Sequence, residues 1–85
     1  MAYSILLRPA AARDLRALPS DTRSRIEKAI DRLVDDPRPP GARKLVGVSD
    51  EWRLRVGDYR VLYVVNDPEG QVVIARVAHR REAYR

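Results

Sequence analysis

The segment that most constrains the fold is Trp52–Val65, with the sequence WRLRVGDYRVLYVV. Two runs of alternating residues, 52–56 and 59–65, meet at Gly57-Asp58. Alternation rich in β-branched and aromatic residues on both sides of a glycine-containing break predicts a β-hairpin. A Gly-Asp pair suits a two-residue turn whose first central residue has a positive φ. The rest of the chain must therefore pack against an antiparallel hairpin.

Both strands of this hairpin carry arginine. Arg53 and Arg55 share one face of the first strand, where solvent could accommodate them. On the second strand Arg60 shares a face with Leu62 and Val64, and we predict that this row faces the core. Burying a guanidinium without a partner is costly, so Arg60 requires a counter-charge. The sequence offers two carboxylates, besides a bound anion, for that role: Asp14 and Asp58.

The segments around the hairpin predict strands and two helices. The second helix is the clearest, because Ile26, Ile30 and Leu33 form one apolar stripe that ends before Pro37. A turn with the sequence NDPEG separates the hairpin from a last alternating segment, in which Val72, Ile74, Arg76, Ala78 and Arg80 share a face. We predict helices at 9–18 and 20–35 and strands at 2–8, 51–57, 59–66 and 71–79.

This order, β-α-α-β-β-β, predicts an α+β fold with two layers, in which an N-terminal strand and an αα-hairpin pack on a mainly antiparallel sheet. Residues 43–46 form at most a brief extended segment. The length of 85 residues suits one small domain, 1–85. The predicted core residues are Ile26, Ile30, Leu33, Leu54, Leu62, Val64 and Ile74.

Composition excludes several classes of site. The chain has no cysteine and one histidine, so we expect no metal centre, no cofactor and no nucleophile–histidine pair. It has no apolar stretch of membrane-spanning length and no signal peptide, so we expect a cytoplasmic location. With 17 basic residues, 15 of them arginine, and a net charge of +5, it favours a polyanionic partner, either nucleic acid or an acidic protein segment.

The residues that could carry chemistry are cations and a tyrosine from the predicted strand ends. They suit cleavage of RNA without metal, in which the ribose 2′-OH attacks the adjacent phosphate and arginines stabilise the developing negative charge. An aromatic ring could stack on an unpaired base and hold the backbone in line. The set comprises Lys44, Arg53, Arg55, Arg60, Arg80, Arg81 and Tyr84.

The chain resembles the RelE/ParE superfamily of bacterial toxins over nearly its whole length. The resemblance rests on GDYRVLY after a WRLR strand and on HRREAY near the end. Further matches are Tyr3, the segment ARDL at 12–15, Leu18, Asp36-Pro37 and Lys44-Leu45. It implies the α+β fold described above.

For the RelE-like branch the resemblance implies ribosome-dependent cleavage of mRNA. By position, Arg60 matches the arginine that stabilises the transition state, Arg80 the arginine that protonates the leaving 5′-oxygen, and Tyr84 the tyrosine that orients the RNA. Arg53 and Arg55 stand where the best-known RelE has two lysines, one of them its proposed base.

That difference leaves the general base open, because arginine stays protonated. The candidates are His79, which titrates in the right range, Lys44 and Tyr84.

The resemblance also implies partners: the ribosome, mRNA and a cognate antitoxin with an acidic, partly disordered segment, joined in a toxin–antitoxin hetero-oligomer. Two other functions remain open. A ParE-like toxin would share the fold and inhibit DNA gyrase by protein contact, without nuclease residues. A non-catalytic module would only bind an acidic partner.

Overall fold

Two helices pack on one side of a mixed sheet. The computed structural model describes residues 2–45 and 50–81. The helices are α1 (Pro9–Arg16) and α2 (Ser20–Arg32). The strands are β1 (Ser4–Leu7), β2 (Ala42–Lys44), β3 (Glu51–Val56), β4 (Tyr59–Asn66) and β5 (Gln71–His79). The α+β prediction is confirmed. β1 and both helices are shorter than predicted, residues 33–35 form turns rather than the end of α2, and β2 is an additional strand.

The sheet has the strand order β1-β5-β4-β3-β2. β1 pairs in parallel with β5, and the other neighbours are antiparallel. β3 and β4 form the predicted hairpin, closed by the pair Val56–Tyr59. Gly57 has φ = 58°, and Asp58 does not have a positive φ. This is the pattern of a type II′ turn, which matches the right-handed twist of the strands.

The helix-facing side of β4 differs from the prediction. Val61, Tyr63 and Val65 are buried beneath the helices, whereas Leu62 and Val64 are only half-buried on the opposite face. Both rows of β4 are apolar, so alternation alone does not say which row faces the helices. The other predicted core residues are buried as expected: Ile26, Ile30, Leu33, Leu54 and Ile74.

A β-bulge in β5 reverses the faces in its second half. Leu62 pairs with Arg76 but Tyr63 pairs with Ile74, so Ala75 is the extra residue. Beyond it Val77 is buried opposite Val61. The predicted single face for Val72, Ile74, Arg76, Ala78 and Arg80 is therefore wrong after Ile74.

Asp14 on α1 secures this bulge. Its carboxylate accepts hydrogen bonds from the Val77 amide at 2.9 Å and from Arg76 Nε at 2.8 Å. Partial burial opposes ionisation of Asp14, but the bonds from Arg76 and Val77 outweigh it and hold its pKa below the usual value. Asp14 thus connects α1 to the bulge, where the side chains of β5 switch faces of the sheet.

We expect Asp14→Asn to destabilise the fold by about 2 kcal/mol at pH 7, because charge-assisted hydrogen bonds are lost. A carboxylate with a lowered folded pKa contributes stability above its unfolded pKa of about 4, and this contribution is lost as the pH falls through the folded pKa. The difference in the free energy of unfolding between parent and variant should therefore be smaller near pH 3 than at pH 7. Urea unfolding at both pH values tests this, with exposed Asp35→Asn as the control. An equal gap at both values would contradict it.

Arg38 anchors the loop that precedes β2. Its guanidinium bonds the carboxylates of Asp50 and Asp67 and lies 5.5 Å from the centre of the Trp52 ring. Asp50 also accepts a hydrogen bond from Trp52 Nε1, and Asp67 accepts one from the Tyr3 hydroxyl. The bonds from Arg38 and Tyr3 lower the pKa of Asp67. These contacts tie the loop to the start of the chain, to β3 and to the β4–β5 turn.

Candidate nucleic-acid interface

The face of the sheet that points away from the helices carries a concentration of arginine. Arg43 of β2, Arg53 and Arg55 of β3, and Arg60 of β4 line a groove of about 460 Å³. Gly41 and Gly57 complete its lining. We call this site the arginine groove. Its walls come from three adjacent strands, so the sheet itself fixes the spacing of the cations.

Strand register places these arginines directly opposite one another. Arg43 pairs with Arg53 across β2 and β3, and Arg55 pairs with Arg60 across β3 and β4. Like charges at directly opposed positions of a sheet are destabilising. Of the described residues, those that line the groove include no carboxylate. This concentration of guanidinium groups suits a bound anion with several oxygens.

Arg60 is the most buried of the four, with 9% of its surface exposed. Its Nη1 donates to the carbonyl oxygens of Tyr59 at 3.1 Å and Gly57 at 3.4 Å. Within the described part of the chain it forms no ion pair, and neither Asp14 nor Asp58 supplies the counter-charge that the sequence offered. The hairpin turn thus holds the guanidinium in place through neutral acceptors, and no carboxylate of the described residues compensates its charge.

Of the other predicted site residues, Arg80, Arg81 and Lys44 do not line the groove. Arg80 follows β5, and its amide donates to Asp58 O at 2.7 Å beside the hairpin turn, at the same end of the sheet as Arg60. Arg81 is exposed in the next turn. Lys44 pairs with Trp52 and so projects to the opposite face from Arg43. Tyr84 lies outside the described residues.

His79 is not brought to the arginine groove. It pairs with Tyr59, and the two rings meet edge to face with centroids 5.4 Å apart. Tyr59 lies beside Ile26 of α2, on the helix side of the sheet. The His79 Nδ1 accepts a hydrogen bond from the Arg81 amide at 3.3 Å. The His79 imidazole therefore lies on the opposite face of the sheet from Arg60.

Sequence reasoning missed Arg43 as a groove residue. It lies in the short strand β2, which was expected only as a brief extended segment. The available signal was the alternation of Ala42, Arg43 and Lys44, which puts Arg43 on the opposite face from its two neighbours. Its register with Arg53 required the structure.

Comparison with known proteins identifies the family. A family model described as the ParE toxin of the type II toxin–antitoxin system, parDE, matches residues 5–84. The chain belongs to the RelE/ParE superfamily of type II toxins. It is 34% identical to toxin RelG of Mycobacterium tuberculosis, over 100% of this chain and 99% of that protein.

Solved structures of RelE toxins share the fold. The archaeal RelE–RelB complex from Pyrococcus horikoshii matches with a TM-score of 0.85 and 31% identity, covering 98% of this chain and 100% of that one. The isolated RelE toxin of E. coli matches with a TM-score of 0.81 and 26% identity, covering 92% and 84%.

Among the described residues, no helix combines the length and the apolar character needed to cross a bilayer. The same part of the chain brings together no group of three or more histidine or carboxylate side chains that could hold a metal ion.

Proposed function

We propose that this toxin is a ribosome-dependent mRNA endoribonuclease of the RelE branch. The observation that carries the proposal is Arg60, a nearly buried guanidinium without a carboxylate partner in the described structure, in a groove lined by three further arginines. Groups that break the usual rules of burial and charge pairing are expected at functional sites. The RelE names of similar toxins point to the same branch.

In the proposed mechanism the arginine groove binds the scissile phosphate of a single RNA strand. The ribose 2′-OH gives up its proton to water and attacks that phosphorus in line. A 2′,3′-cyclic phosphate forms as the bond from phosphorus to the 5′-oxygen of the next nucleotide breaks, and that oxygen takes up a proton. Arg60 would stabilise the negative charge that develops on the phosphorane oxygens, where a preorganised donor is most effective. Arg53 and Arg55 would hold the flanking phosphates. Arg80 would serve the leaving oxygen, and Tyr84 would orient the RNA.

In this mechanism electrostatic stabilisation and positioning supply most of the rate enhancement. The described residues that line the groove carry guanidinium groups, which do not titrate near neutral pH. A general base from the opposite face of the sheet would have no path to the 2′-OH.

We therefore expect His79→Ala to leave both the cleavage rate and its pH dependence between about pH 6 and 8 unchanged within about twofold, because the imidazole lies on the opposite face of the sheet from the arginine groove. The test is single-turnover cleavage of mRNA on programmed ribosomes across that range. His79→Gln is the control for loss of ring packing against Tyr59. A large loss of rate in both variants, together with a changed pH dependence of cleavage, would return His79 to the mechanism.

The proposed partners are the ribosome with its mRNA and a cognate antitoxin. The solved structures that resemble this toxin include complexes with RelB antitoxins. An acidic, partly disordered antitoxin segment would complement the net charge of +5 and could fold as it binds, forming a hetero-oligomer. Action on ribosomes places the toxin in the cytoplasm.

A second candidate is inhibition of DNA gyrase, since the matching family model is the one for ParE toxins. One experiment separates the two functions. Purified toxin is added to mRNA with and without programmed ribosomes, and in parallel to DNA gyrase in a supercoiling reaction. The proposal predicts cleavage only when ribosomes are present and normal supercoiling. Inhibited supercoiling with intact mRNA would favour the gyrase function.

A further inference from the structure

Helix α2 lines two clefts, one with basic and one with acidic side chains. Arg25, Lys28 and Arg32 line a cleft between α2 and β3. Glu27 and Asp31 instead line a groove on the other side of the helix, beside β1. We call the stripe of Arg25, Lys28 and Arg32 the cationic side of α2; Asp21, four residues before Arg25, begins the same stripe.

The cationic side carries repulsion rather than ion pairs. Lys28 and Arg32 are four residues apart, and Arg25 and Lys28 are three apart, so like charges are neighbours on the helix surface. Within the described residues, none of these three cations forms a salt bridge. The cleft wall opposite them adds a fourth cation, Arg55, and the described lining contains no acidic residue.

The α2 cleft is continuous with the arginine groove. Arg55 lines both. Gly57, which also lines the arginine groove, lies directly below the Arg25 side chain, since a Cβ built on Gly57 would lie 3.2 Å from Arg25 Nη2. β2 pairs only with residues 52–54 of β3, so Arg55 lies at an uncovered edge of the sheet. Cations therefore extend from the outer face, around this edge, to α2.

We propose that this continuous surface guides one RNA strand, and that Arg25, Lys28 and Arg32 bind the phosphates flanking the segment in the arginine groove. A polyphosphate strand with regularly spaced charges fits a path of cations that crosses a sheet edge. Pro39, Pro40 and other apolar side chains of the cleft offer flat surface to riboses and bases. The inference takes only the class of ligand, RNA, from the proposed function.

The test measures binding of 2′-O-methyl RNA, which cannot be cleaved by 2′-OH attack. Two lengths are compared, about 4 and about 14 nucleotides, within the range of single-strand site sizes. The variant Arg25→Gln/Lys28→Gln/Arg32→Gln should bind the long RNA about 10-fold more weakly and the short RNA normally. For this variant and the long RNA, the slope of log affinity against log salt concentration should be smaller in magnitude by about 1.5–2. Each phosphate contact in a single strand contributes about 0.7 to that slope.

A charge-matched control replaces Arg8, Arg13 and Arg16 with glutamine, near and on α1. This variant should bind both RNAs almost like the parent. Equal losses in the two triple variants would overturn the proposal, because net charge alone would then explain them. Unchanged RNA binding would also overturn it, and a simultaneous loss of antitoxin affinity or of vacant-ribosome affinity would reassign the surface to an acidic protein or to ribosomal RNA.

Failure of this inference can be distinguished from failure of the proposed function. If the parent toxin does not cut mRNA on ribosomes but the length-dependent loss is found, the RNA-binding surface stands without the nuclease. If cleavage is found and binding is independent of RNA length, only the α2 surface is wrong. Thermal melts confirm folding, and the triple variant should melt no lower than the parent because it loses like-charge neighbours.

Discussion

Replacing Arg60 with alanine is expected to slow single-turnover cleavage of ribosome-bound mRNA by ~10²–10³, or roughly 3–4 kcal/mol of transition-state stabilisation. The guanidinium is held by the Gly57 and Tyr59 carbonyl oxygens, so it is in place before the phosphorane charge develops. Arg60→Lys should recover only part of the rate, because an ammonium cannot bond two phosphate oxygens in a fork.

Replacing Arg60 should lower activity but raise the stability of the free toxin. Arg60 lies opposite Arg55 and has no described carboxylate partner, so Arg60→Met should raise the stability of the free toxin by about 1 kcal/mol while it removes activity. Exposed Arg16→Ala on α1 is the matched control and should change the rate less than twofold. The proposed role of Arg60 would be wrong if Arg60→Ala cut mRNA as fast as the parent, or if Arg60→Ala and Arg16→Ala lost cleavage rate equally.

Tyr63→Ala is expected to destabilise the fold by about 3–5 kcal/mol, a large share of the stability of a small domain. Tyr63 is 1% exposed at the centre of the core, and its hydroxyl donates to Pro37 O at 2.8 Å. Burial raises the pKa of Tyr63 to about 12, as expected for a phenol far from solvent. Urea unfolding monitored by Trp52 fluorescence measures the change.

The control is Val64→Ala, the neighbouring residue on the opposite face of β4, which should cost about 1 kcal/mol because it is only half-buried. Tyr63→Phe should destabilise the fold by about 1–2 kcal/mol, between the losses for Val64→Ala and Tyr63→Ala, since it leaves the Pro37 carbonyl without its donor. A larger loss from Val64→Ala than from Tyr63→Ala would show that the helices cover the other face of the sheet.

Local signals predicted the elements well and their faces less well. The hairpin at Gly57 and the stripe of Ile26, Ile30 and Leu33 depend on neighbours in sequence, and both predictions are confirmed. The face of β4 depends on where the helices dock. Tyr63 lies on the helix side of β4, where its hydroxyl donates to the Pro37 carbonyl oxygen. Pro37 is far away in sequence, so no periodicity could pair it with Tyr63.

The bulge in β5 shows a different limit. Period-2 alternation holds from Val72 to Ile74 and then fails at Ala75, because one extra residue shifts the pairing with β4. The contact that supports the bulge comes from Asp14 on α1. An interaction over that sequence distance cannot be inferred from alternation.

The part of the candidate site that belongs to the β3–β4 hairpin was predictable from local sequence. Arg53, Arg55 and Arg60 line one groove, as expected for a cluster from neighbouring strands, but the row of Arg60 lies on the outer face of the sheet and not on the predicted core face. Arg43 was missed because its place depends on pairing between β2 and β3 across a loop anchored by Arg38. His79 lies on the helix side of the sheet, and this face depends on the bulge.

The most direct test of the nuclease account is the chemistry of the cut ends. Toxin is added to programmed ribosomes, and the upstream mRNA fragment is examined for its 3′ terminus. Attack by the 2′-OH predicts a 2′,3′-cyclic phosphate on that fragment and a free 5′-hydroxyl on the downstream one, with both products lost in Arg60→Ala. A 3′-hydroxyl with a 5′-phosphate, or no cleavage by the parent toxin, would contradict the account.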